Sequence, residues 1–213
     1  MSAVKEQGER VGPRVMMAPW LPLALLESIR MHDRPREVLE DEDLAASLPR
    51  RLGLTGVIET RIHRYEEEAR RGRDVPVEEV LDLLRLVMRR PDAEPILRDA
   101  GAQVARRHFG GSTPRRSFRL LPRAARTAAV RRSVRAMLRR VVGPGRLEVT
   151  GWPLRARITD ALTARADPGG TACVLYSAAL EELVHLHTGS RPQVGHNRCA
   201  VHGEPCCEWM AMA

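Results

Sequence analysis

Through most of the chain apolar residues recur every three or four positions, and near the end they recur every second position. Leu21, Leu25, Leu26 and Ile29 share one helical face, which predicts a short buried helix from Pro19 to about Met31, with proline tolerated near its start. A second stretch, Arg36 to Leu48, carries the acidic run Glu40 to Asp43 and ends at Pro49. Thr55 is placed to cap a third helix running to Arg71, with Val57, Ile58, Ile62 and Tyr65 inward, Glu66, Glu67 and Glu68 outward, and Gly72 as the stop. Val80, Leu81, Leu84 and Val87 give a helix from Val77 to Arg89, and Ile96, Leu97, Ala100, Val104 and Ala105 give another from about Glu94 to His108. A long amphipathic helix is expected from Pro122 to Val142. Val130, Val134, Met137, Leu138 and Val141 form its apolar stripe, opposite Arg131, Arg132, Arg135 and Arg139.

After Gly143-Pro144-Gly145 the period falls to two. Leu147, Val149 and Gly151, then Leu154, Ala156 and Ile158, read as a pair of adjacent strands. A helix returns from Ala172 to Thr188 and stops at Gly189, and Pro192 to Met212 reads as a hairpin around the turn His202-Gly203-Glu204-Pro205. The fold class expected is therefore α/β of the α+β kind: a helical N-terminal half, then a small antiparallel sheet packed on helices. No repeat of 20 to 50 residues is visible.

Composition narrows the functional classes. With 213 residues, the chain can build a core without metal or disulfides. Aromatic residues make up only 3% of it, so that core must be Leu, Val, Ala and Met. No apolar run approaches the ~18 to 20 residues of a membrane span, and the first residues lack the apolar stretch of a secretory signal, which points to a soluble cytoplasmic protein with no membrane partner. The formal charge is +8, and Lys5 is the only lysine, a bias that reads first as a high-GC genome. From Ala100 to Arg157 there are 15 arginines and one acid, Glu148. Such a stripe can bind phosphate, yet the stretch offers only Phe109 and Phe118 for base stacking and no recognisable reading motif. A solvated face, or neutralisation by the acidic runs within the fold or in a homodimer, is the plainer reading, and nucleic acid is not the partner expected.

All four cysteines, Cys173, Cys199, Cys206 and Cys207, lie in the last 41 residues. In a reducing compartment this favours a metal or redox role over disulfides. Folding the hairpin brings Cys199 and Cys207 together; His196 can lean toward them if a bulge resets the strand alternation. Cys173 opens a helix, whose N-terminus favours the thiolate. Three sulfurs and an imidazole form a tetrahedral set suited to zinc, closed to a substrate water and hence structural. Other readings stay open on spacing alone: cysteines as small buried apolar residues, a redox pair of Cys199 with Cys206 or Cys207, Cys206 in place of Cys207, or His202 in place of His196. His63, His108, His185 and His187 read as ordinary helix residues. No Gly-x-Ser-x-Gly, phosphate loop or dinucleotide fingerprint is present.

The segment GTACVLYSAALEELVHLHTGSRPQVGHNRCAVHGEPCCEW resembles the end of 4-vinyl-reductase-type domains, small-molecule-binding modules of the NO-signalling and TRAPP-like fold. Cys173, Gly189, Cys199, Gly203, Cys207, Glu208 and Trp209 carry the likeness, and a weaker one extends back to the region of Ala100. Members of that family that sense aromatic compounds hold zinc with three cysteines and one glutamate. The resemblance implies that Cys173, His196, Cys199 and Cys207 are the zinc ligands here, with His196 where the family has glutamate. Composition and periodicity make residues 1–18 a disordered tail and 19–95 a helical N-terminal region, and the resemblance implies a TRAPP-like ligand-binding domain over 96–213. The function expected is a zinc-stabilised sensory or carrier module for a small hydrophobic or aromatic molecule. Its pocket would lie between the helix from Pro122, the helix from Ala172 and the strands near Trp152. The alternatives are a 4-vinyl reductase or accessory in bacteriochlorophyll synthesis, and a nucleic-acid-binding protein using the Arg-rich helix.

Overall fold

The computed structural model describes residues 15–33, 57–110, 122–151 and 153–212; the Arg36 to Leu48 stretch, Thr55 and Trp152 lie outside the described residues. Among the described residues seven α-helices and six strands make a mixed α+β fold. The helices are α1 (Trp20–His32), α2 (Val57–Arg71), α3 (Val77–Met88), α4 (Ala93–Gly110), α5 (Arg123–Val141), α6 (Leu162–Ala166) and α7 (Val174–Thr188). Strands β1 (Met16–Met17) and β2 (Val75–Pro76) form a small ribbon. Strands β3 (Arg146–Thr150), β4 (Leu154–Thr159), β5 (Gln193–Arg198) and β6 (Cys207–Met212) form an antiparallel sheet in the order β3-β4-β6-β5.

Most helices begin and end where local chemistry requires. Helix α1 carries Pro22 in its first turn, where a missing N–H costs nothing, and the Leu23 N–H reaches back to the Pro19 carbonyl at 3.1 Å. Helix α3 starts after Pro76 with Glu78 and Glu79 at the positive end of its dipole. Gly72 and Gly189 end α2 and α7 in left-handed conformation, with φ of +64° and +81°. Helix α6 was not foreseen: at five residues it is too short for apolar periodicity to register. Nor are residues 15–18 part of a disordered tail. Met16 and Met17 pair with Pro76 and Val75, because Met17 is buried in the helical layer and the pairing satisfies the backbone beside it.

One hydrophobic core runs from Met17 to Ala211 and includes residues of every helix. Helix α7 lies in the middle of it, apolar on nearly all sides, with Leu175, Tyr176, Ala179, Leu180 and Leu183 at 0 to 1% exposure. Each buried leucine contributes roughly 1.5–3 kcal/mol by area transfer. Helix α4 packs on one side of α7, and the sheet on the other. The sheet's inner face is Val149, Leu154, Ala156, Ile158, Val194, Cys207, Trp209 and Ala211, while Arg155, Arg157, Glu208 and Met210 occupy the outer face. On that outer face Glu208, only 5% exposed, accepts from Arg157 Nε at 2.5 Å, and the Arg157 guanidinium holds its carboxyl below the usual range.

The α4–α7 contact depends on Gly101. A Cβ there would stand 2.2 Å from the Leu175 carbonyl oxygen and 3.0 Å from the Ala179 nitrogen, both backbone atoms that cannot swing away. Gly101→Ala is therefore expected to force the helices apart at a cost of about 2–4 kcal/mol, lowering Tm by about 5–12 °C in thermal unfolding. An unchanged Tm would show that the helices do not approach this closely.

Candidate metal centre

The cysteines and His196 are positioned by elements whose geometry is set by a few turns. Asp167 folds the chain ahead of α7: its Oδ1 accepts from the Gly169 N–H at 2.8 Å and its Oδ2 from the Ala172 N–H at 2.9 Å. This places Cys173 at the end of a 3-10 turn, Thr171–Cys173, directly before α7. Gly170, at φ +81°, supplies the left-handed conformation this turn needs, and it packs beside Cys199 Sγ, where a Cβ would stand at an ordinary 3.5 Å.

The other three residues come from the terminal hairpin. His196 and Cys199 are three apart and in a regular strand would face opposite ways. A register irregularity between His196 and Arg198 removes the conflict: His196 pairs with Trp209 on the inner face, Arg198 pairs with Glu208, and Cys199 turns inward again. A 3-10 turn, Ala200–His202, then leads to Cys207 at the start of β6.

The four donor atoms of Cys173, His196, Cys199 and Cys207 lie within 4.8 Å of one another, and this cluster could hold a metal ion such as zinc. Cys199 Sγ is 4.0 Å from both Cys173 Sγ and Cys207 Sγ. A tetrahedral site with zinc–sulfur bonds of about 2.3 Å separates its sulfurs by about 3.8 Å, so the spacing fits with a shift of a few tenths of an ångström. The three sulfurs are buried and free of disulfides, whereas His196 is exposed. Outer partners are in place: Thr163 Oγ1 lies 3.2 Å from Cys173 Sγ, and the Ala200 N–H donates to Cys207 Sγ at 3.4 Å. The His196 ring stacks on Trp209 at 4.9 Å and 13°, and Trp209 meets Tyr176 edge-on at 5.2 Å.

The thiols are not equivalent. Cys173 is pushed up, first by its hydrogen bond to Cys207 and then by burial, and burial also raises Cys199. Cys207 is pulled down, chiefly by the hydrogen bond from Cys173, with help from His196 and the Ala200 N–H. The expectation that a helix N-terminus would favour the Cys173 thiolate is thus corrected: the residue sits under the sheet, and burial beside a second sulfur outweighs the dipole.

Of the alternative donors, Cys206 is half-buried and lines a groove with Arg146, Glu148, Arg157 and Pro205, outside the cluster. His202 is exposed and near Gly170, and it is not among the four clustered donors. Pro168-Gly169-Gly170 reads as a loop in the sequence and marks the approach to Cys173, whereas Thr163 and Asp167 escaped the sequence patterns. A groove beside His196 is lined by Glu94, Arg98, Ser177 and Glu181, polar rather than apolar. Among the described residues no helix is long and apolar enough to cross a membrane. Comparison with known proteins returned no matching family model, no matching curated protein and no matching solved structure.

Two outcomes follow for divalent metal added to the reduced protein. Because Cys173 and Cys199 enter as thiols and Cys207 as thiolate, binding near pH 7 should release about two protons, read by titration calorimetry in buffers of different ionisation enthalpy; affinity should then fall about 100-fold per unit drop in pH. Cys206→Ser should keep one metal per chain and Cys207→Ser should lose it, and the reverse pattern would exchange their roles.

Proposed function

We propose that this chain is a zinc-stabilised module of the 4-vinyl-reductase type that binds a small hydrophobic or aromatic molecule in a sensory or carrier role. The observation that carries the reading is the convergence of Cys173, His196, Cys199 and Cys207, three buried sulfurs and one imidazole, at the junction of α7 and the terminal hairpin. Zinc held there would fasten the two elements and leave no position for a substrate water, so its role is structural. In this reading Thr163 and the Ala200 N–H steady the sulfurs, and Trp209 fixes the plane of the His196 ring.

Support for a ligand comes from the same corner. Trp209 is fully buried, and its Nε1–H has no hydrogen-bond partner among the described residues. Buried donors are normally satisfied, and an acceptor on a bound aromatic molecule would satisfy this one. The pocket expected between α5, α7 and the strands has one of its anticipated walls at Trp152, outside the described residues.

Elemental analysis of protein purified under reducing conditions should find about one zinc per chain, and Cys199→Ser should lose it with a Tm fall of at least about 10 °C. Absence of zinc together with an unchanged Tm in Cys199→Ser would overturn the structural role. Titration with small aromatic compounds or a porphyrin should quench tryptophan emission in the wild type and spare it in Trp209→Phe; no saturable quenching with any of them would overturn the ligand.

A further inference from the structure

Nearly half of the 15 arginines between Ala100 and Arg157 lie on one helix. Helix α5 holds seven arginines in 19 residues, RAARTAAVRRSVRAMLRRV, and no acid, against a net charge of +8 for the whole chain. A genome that favours arginine over lysine accounts for the residue type but not for the missing acids. Helix α2 of the same chain is a direct contrast: its Glu66 and Glu67 pair with Arg70 and Arg71 one turn on. Elsewhere the carboxylates are engaged by other arginines, as in Glu27 with Arg107, Asp33 with Arg90, Glu79 with Arg64, Glu182 with Arg106 and Glu208 with Arg157. None of these acids reaches α5.

Within α5 the arginines divide by role. Arg135 donates to the Val149 carbonyl at 2.9 Å, tying the helix to β3, and the Arg140 guanidinium lies 4.4 Å from the Trp20 ring centroid. Arg126, Arg131, Arg132 and Arg139 are exposed and form no ion pair among the described residues. Arg131, Arg132 and Arg139 fall on one side of the helix over about 12 Å of its length. Arg126 sits in the first turns, where the helix dipole disfavours positive charge, so helix stability does not explain it. The exposed face otherwise shows only small side chains, including Ala128 and Ala136, so the guanidinium groups stand clear of any bulky neighbour.

We infer that this ridge docks on the sugar-phosphate backbone of duplex nucleic acid. The guanidinium fork grips phosphate oxygens bidentately, and a helix of about 10–12 Å diameter matches a major groove about 12 Å wide. The contacts are to the backbone and carry no base sequence. A lipid surface fits less well, because the apolar stripe of α5, Val130, Val134, Met137, Leu138 and Val141, is 0 to 2% exposed and committed to the core, leaving nothing to insert among acyl chains. The scarcity of stacking aromatics and of a reading motif, which weighs against nucleic acid in the sequence, does not bear on duplex backbone binding, which needs neither.

The test is fluorescence anisotropy of a labelled 20-base-pair DNA with the full chain. Three phosphate contacts predict a slope of log affinity against log salt of about −2.7, and hence roughly a 40-fold loss between 50 and 200 mM salt. The triple variant R131Q/R132Q/R139Q should flatten that slope by about 2.7, with wild-type circular dichroism because the residues are exposed and unpaired. Should the triple variant fail to fold, R131Q and R139Q singly should each flatten it by about 0.9. Three results would overturn the inference: no binding at 20 mM salt, an unchanged slope in the folded variants, or binding to phosphatidylserine vesicles or polyglutamate but not to duplex.

Discussion

Helix α7 has almost no solvent side, because α4 lies against one face and the sheet against the other. The distance between α4 and α7 is set by backbone meeting backbone at Gly101, where a single methyl group would overlap the Leu175 carbonyl. The side of α7 turned away from α4 carries the residues that meet the sheet and the metal corner. Tyr176 reaches the Trp209 ring at 5.2 Å and the Val141 carbonyl at 3.2 Å, and Cys173, three residues earlier, enters the plane of Cys199 and Cys207. The metal corner is a product of helix packing as much as of the hairpin that supplies most of its donors.

Much of this was legible because the signals were periodic. Val80, Leu81, Leu84 and Val87 mark α3, and Leu154, Ala156 and Ile158 mark β4, since burial of one face demands those spacings. The four clustered donors were also legible, including the bulge that His196 and Cys199 need, because residues three apart on a strand cannot otherwise share a face. What could not be read was set by tertiary contact. Helix α6 is shorter than two turns, yet it brings Thr163 under Cys173. The thiol order, with Cys173 raised and Cys207 lowered, follows from burial and sulfur contacts that no spacing encodes. The ribbon of Met16–Met17 with Val75–Pro76 joins residues about sixty apart and too few to show alternation.

Charge is partitioned as sharply as hydrophobicity. On α2 and along the α1–α4 seam, acids and arginines are matched at short range, so these surfaces are close to neutral and the ion pairs, mostly exposed, add little stability each. Helix α5 has the opposite character: its apolar stripe is used up in the core while its arginines face outward without acids. The metal corner differs from this chemistry in kind, three buried soft sulfurs beside an exposed imidazole rather than hard charge in water. One small fold thus separates a part that holds its shape from a part that presents a field.

Strand β6 has a register that is more constrained than its adjacent cysteines suggest. Cys207, Glu208, Trp209 and Met210 alternate strictly, so a slip by one residue would offer Cys206 to the cluster, turn Glu208 into the core and expel Trp209. The two cysteines are therefore not interchangeable spares. The same slip would carry Glu208 away from Arg157, so the ion pair on the outer face favours the frame that presents Cys207 to the cluster.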